Sequence, residues 1–155
     1  MDREEERPGT RAPIEIRLGG RTIYRGMAYF NSGLRAEGRE PFIIIPKEVA
    51  EKAGIQIKGL TEAEGFTISY LGETDTYVDV RVKSGEIASK WVRAKVYVDP
   101  FKEEPFVNTT LCNMLGIKFL DWDEGIWFLE DSLPERLKGL MEELYRLARK
   151  YKRLG

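Results

Sequence analysis

Apolar and polar residues alternate with period two along much of the chain and switch to a spacing of three and four near its end. Ile14-Glu15-Ile16-Arg17-Leu18 alternates, Gly19-Gly20 is a two-residue turn signal, and residues 22–30 resume the alternation, which predicts a hairpin. Residues 34–41 read as a polar loop, and Phe42-Ile43-Ile44-Ile45 is a continuous apolar run suited to a buried strand. Pro46 is expected to open a short helix over 46–53, closed by Gly54. From 66 to 98 the pattern is β throughout, with turn signals at Gly72-Glu73 and Lys83-Ser84-Gly85. Runs 76–82 and 92–98 each have one dry and one wet face.

Phe106-Val107-Asn108 precedes a short helix expected over 110–115 and ended by Gly116, and the apolar runs 117–122 and 126–129 flank Asp123-Glu124-Gly125 in a hairpin. Ser132-Leu133-Pro134-Glu135 reads as a capping box opening the longest helix, about 133–153. Leu133, Leu137, Leu140, Met141, Leu144, Leu147, Ala148, Tyr151 and Leu154 recur at three and four on one stripe, expected to pack on the sheet or on a second subunit. The expected fold is mainly β, a closed or nearly closed sheet with two short helices and a C-terminal amphipathic helix. A charged mobile arm over 1–13 and the helical segment 131–155 flank a β domain over 14–130.

Composition narrows the chemistry. A chain of 155 residues suits one domain. It has no histidine, which excludes His-dependent triads and imidazole relays, and one cysteine, Cys112, whose apolar surroundings read as core. Acid/base work falls to Asp, Glu, Lys or Tyr. The opening MDREEERPGTRAP is charged and no long apolar run follows, so a cytoplasmic protein without a membrane partner is expected. Abundant balanced charge with one Gln and three Asn resembles the composition of heat-adapted proteins. A net charge of −1 gives no general attraction to nucleic acid, although Arg146, Arg149, Lys150, Lys152 and Arg153 make the last segment basic. Asp121, Asp123 and Glu124 read as one acidic hairpin tip and Glu73 with Asp75 as another, without the spacing of a metal loop; no cofactor is called for. Asn108-Thr109-Thr110 matches a glycosylation acceptor, which a cytoplasmic chain does not use.

Met27-Ala28-Tyr29-Phe30-Asn31-Ser32-Gly33 runs from an apolar strand into a small polar turn. It is followed by Ile45-Pro46-x-x-Val49-Ala50-x-x-Ala53-Gly54-Ile55, a β-rich middle, Phe106-Val107-Asn108 and Met114-Leu115-Gly116-Ile117. In this order the segments resemble the retropepsin-like aspartic protease family over roughly residues 14 to 130. The resemblance places Asn31 at the catalytic aspartate, Ser32 at the supporting hydroxyl residue and Gly33 at the tight-turn glycine. Asn108 then stands where a glycine backbone lies beneath the active-site turn. It implies a barrel-like fold and a two-fold homodimer that joins two such turns, which in the family bear aspartates sharing a proton. Leu34 departs from the small residue usual there, and the loop over 34–41 is longer than usual.

Asparagine cannot ionise, so the resemblance leads to a dimer lacking the peptidase reaction, whose cleft binds an extended peptide or protein segment. Asn31-Ser32-Gly33 is also explicable as a plain β-turn. The candidate binding positions are Asn31, Gly33, Gly72 and Asn108. One alternative is an aspartic-type endopeptidase that uses another carboxylate, or one inactivated by an exchange introduced at Asn31. A third reading is an interaction scaffold acting through the basic C-terminal helix.

Overall fold

The computed structural model describes residues 10–30, 40–63 and 69–154. The architecture is mainly β with three α-helices among the described residues. Strand β1 (Arg11–Leu18) turns at Gly19-Gly20, both at positive φ, into β2 (Arg21–Phe30). The strand thus begins at Arg11, inside the segment expected to be a mobile arm, because Ala12 is a fully buried core residue. Strand β3 (Phe42–Pro46) leads directly into α1 (Lys47–Ala53), with Pro46 at the N-cap and Gly54 in the left-handed conformation at the C-cap.

Edge strand β4 (Gly59–Ala63) follows, then the long β5 (Ser69–Ser84), the short β6 (Ile87–Ala88) and β7 (Val92–Asp99). The turn expected at Gly72-Glu73 does not exist. Gly72 is paired on both sides, with Leu60 of β4 and Val98 of β7. Its missing side chain makes room for a neighbour: a Cβ built there would stand 2.9 Å from Cδ1 of Ile57. Only a register irregularity between Glu73 and Tyr77 interrupts the β5–β7 ladder. Glu73 and Asp75 therefore lie in a strand rather than at a tip, each next to a lysine: Glu73 is 3.4 Å from Lys95 and Asp75 3.3 Å from Lys58.

The sheet order is β1-β2-β8-β3-β7-β5-β4, where β8 is Phe106–Val107. Because β5 also pairs with β1, opposing Ile14 to Val82 and Ile16 to Val80, the path of pairing from β1 through β8 and β7 returns to its start. Inward-facing residues from every side fill the enclosed core: Ile14 and Ile16, Ala28 and Phe30, Ile43 and Ile45, Val78, Val80 and Val82, and Val92 to Val98 in alternation. Helix α2 (Thr109–Leu115) buries Leu111, Cys112 and Leu115 and ends at Gly116, φ 77°. A separate hairpin, β9 (Ile117–Asp121) with β10 (Ile126–Leu129), packs Phe119 against Phe30, with centroids 5.7 Å apart.

The outer face of the sheet carries the charge. Glu15 is only 4% exposed, yet it lies outside the core, hidden beneath Arg25 and Arg81, which each donate to its carboxylate at 2.8 Å. The Arg25 hydrogen bond, opposed by burial and joined by that of Arg81, holds the Glu15 carboxyl below the ordinary carboxylate range. Arg17 and Arg81 both stack on Trp91, 4.0 and 4.4 Å from its ring centroid.

A 3-10 turn (Glu130–Ser132) precedes α3 (Glu135–Leu154). Ser132 donates its hydroxyl hydrogen to the Leu129 carbonyl at 2.7 Å, closing the 3-10 turn, and the Pro134 carbonyl accepts from Leu137 and Lys138 as the helix begins. The expected docking of the apolar stripe on the sheet is not found. Leu140, Leu144 and Tyr151 are 58%, 56% and 69% exposed, whereas Met141 and Tyr145 are half-buried, the Tyr145 ring lying 5.7 Å from Lys118 Nζ.

Candidate functional site

Asn31, Ser32 and Gly33 lie outside the described residues, as does most of the expected 34–41 loop. What the structure defines is the frame that holds both ends of that segment. Strand β8 is inserted between β2, which leads into it, and β3, which follows it. Tyr29 and Phe30 pair in parallel with Phe106 and Val107, and the Tyr29 N–H donates to the Pro105 carbonyl at 2.9 Å. On the other flank, Ile43 and Ile44 pair antiparallel with Val107 and Phe106. An apolar strand end thus stops at Phe30, itself almost fully buried.

Asn108 fastens this frame. Its Oδ1 accepts from the Phe42 N–H and from the Leu111 N–H, both at 3.0 Å, the second bond being the N-cap of α2. Its backbone N–H donates to the Phe42 carbonyl at 3.2 Å, and its Nδ2 lies 3.5 Å from the Glu40 carbonyl. One carboxamide therefore ties the start of β3 to α2. Asparagine suits the position because its oxygen accepts twice while its amide still donates. Asn108 is fully buried, so it acts here by positioning backbone, and the glycosylation motif it begins is inaccessible.

Sequence reasoning missed Glu40, the first described residue after the 31–39 segment. The Tyr77 hydroxyl donates to its carboxylate at 3.2 Å. Its only sequence signal is its place beside Pro41, ahead of an apolar run. Gly72, offered above as a binding position, sits in mid-sheet beneath Ile57. Asp121 serves its hairpin by accepting from the Glu124 N–H at 3.0 Å. Among the described residues, no group of three or more His, Cys, Asp or Glu is placed to hold a metal ion. Burial pushes the Cys112 thiol up to about 11, so it is protonated at neutral pH and a weak nucleophile.

Among the described residues no helix is long and apolar enough to cross a membrane. No family model matches this chain, and no curated protein gives a significant match.

Proposed function

We propose that this chain is a retropepsin-like protein whose closed sheet forms the family's barrel. Its catalytic aspartate has become Asn31, and it pairs about the Asn31-Ser32-Gly33 turn to hold an extended peptide without cutting it. The observation that carries this reading is the insertion of Phe106–Val107 between β2 and β3, with Asn108 fastening the return of the chain after the turn. The resemblance calls for two apolar residues and a close backbone beneath the active-site turn, and here they flank its entry and exit. The edge strand β4, paired along one side with β5, offers main-chain groups to a peptide in extended conformation.

The chemistry follows from residue 31. A carboxamide neither takes a proton from water nor shares one with its mate, so the general base, worth about 10²- to 10⁴-fold, is gone. The purified protein is expected to leave unfolded casein intact from about pH 3 to 7, and Asn31→Asp to create cleavage at acid pH. Cleavage by the protein as sequenced, abolished in Glu40→Gln, would overturn the reading in favour of a peptidase that works through Glu40.

A further inference from the structure

The exposed large apolar residues of α3 are spaced differently from those of a helix that lies on a sheet. Leu137, Leu140, Leu144, Leu147 and Tyr151 follow one another at intervals of three, four, three and four, and all five are exposed. That is a strict two-in-seven seam of period 3.5, the narrow stripe by which one helix packs along another. The helix meets the rest of the protein at Tyr145, whose ring centroid lies 5.7 Å from Lys118 Nζ. The seam is therefore a second, outward face.

Charge selects what covers it. Residues 144–154 hold Arg146, Arg149, Lys150, Lys152 and Arg153 and no acid, whereas 135–143 hold Glu135, Glu142 and Glu143 against Arg136 and Lys138 and carry all the acids of the helix. Two copies of the helix side by side in parallel would bring the two basic halves together and stack Tyr151 on Tyr151. Two antiparallel copies bring each basic half against the half that carries the acids, and their helix dipoles oppose. The antiparallel register that sets Leu144 of one copy against Leu147 of the other also sets Leu140 against Tyr151. In the same register the flanking Glu143 of one copy meets Lys150 of the other, twice by symmetry. Glu143 and Lys150 are both exposed and able to do so. The bond Glu143 already receives from Arg146 within its own helix is an exposed pair and offers little competition.

We propose that the outward face of α3 is a self-association surface, on which a second copy of this chain lays its own α3 antiparallel in that register. The inference stands apart from the reading of the Asn31 turn.

Sedimentation of the full chain tests it, with circular dichroism as a check on folding. The parent is expected to self-associate, and Leu144→Lys to halve its mass, weakening association at least about tenfold. Glu143→Lys and Lys150→Glu, both at exposed positions, should each weaken association, and the two combined should restore it. A parent that sediments as a single copy at about 100 µM would overturn the proposal. So would a folded Leu144→Lys of unchanged mass, or a double exchange that fails to restore association. Should Leu144→Lys lose its fold, the charge exchanges decide alone. Failure of the parent to bind an extended peptide while the α3 exchanges still shift its mass as expected would count against the turn reading only.

Discussion

Helices α2 and α3 each carry apolar residues and are opposite in circumstance. The seven residues of α2 are too few to hold a helix in water, yet both ends are capped and Leu111, Cys112 and Leu115 are sunk in the core. The twenty residues of α3 are long enough to persist, and their apolar seam is open. The ion pairs divide the same way: Glu15 is roofed by two guanidinium groups, while Glu135 of α3, 3.8 Å from Lys138, is almost entirely exposed. Amphipathicity states that a face will be covered. Only position in the fold states by what.

Substitutions can break or sharpen this contrast. The largest expected effect is in α2: Leu111→Ala should cost about 3 to 4 kcal/mol in urea unfolding, since the fully buried site leaves a cavity. Asn108→Ala comes next, at about 2 to 3 kcal/mol, because it removes the N-cap and leaves the part-buried Phe42 N–H without its acceptor. If it were silent, the fastening role assigned to Asn108 would be wrong.

Glu15→Gln should cost about 1 to 2 kcal/mol at neutral pH. Its pH dependence is the sharper measure. The folded carboxyl titrates below the ordinary value of 4.5, so its contribution is whole above that value and drains away as the pH falls through the folded pKa. The parent should therefore lose stability on acidification more steeply than Glu15→Gln, the two curves converging at low pH. At the other extreme, Glu135→Gln on α3 should change unfolding by less than about 0.5 kcal/mol, and a larger loss would mean that α3 is covered on that side too.

Local signals in the sequence identify most of the elements. Gly19-Gly20, the Pro46 and Gly54 bracket and Gly116 mark boundaries that fall within a residue of those observed, because turns and caps are set by backbone preference nearby. What escapes is non-local. Strand β4 escapes because it is an edge strand with Leu60 turned to solvent, so it has no apolar alternation to betray it. Gly72 reads as a turn because its reason for being glycine, Ile57, lies fifteen residues back and across a ladder. Glu15 reads as one polar tooth of an alternating strand, and only pairing brings Arg25 and Arg81 over it. The frame of the candidate site was legible as the segment Phe106-Val107-Asn108 but not as an insertion, since a two-residue strand carries no periodicity.

That insertion also dictates an order of events during folding. Strands β2 and β3 are neighbours in the chain yet cannot be neighbours in the sheet, since the gap between them is reserved for residues that arrive some sixty positions after β3. A chain emerging from synthesis can close the β1–β2 hairpin at once, but must keep β2 and β3 apart, or part them again, until β8 is placed between them. Loop closure over such a span is costly before the contacts it makes repay it. The junction of β2, β8 and β3 is thus expected among the last parts of the sheet to be fixed, and a chain truncated before β8 is expected to carry the β1–β2 hairpin with β2 and β3 unjoined.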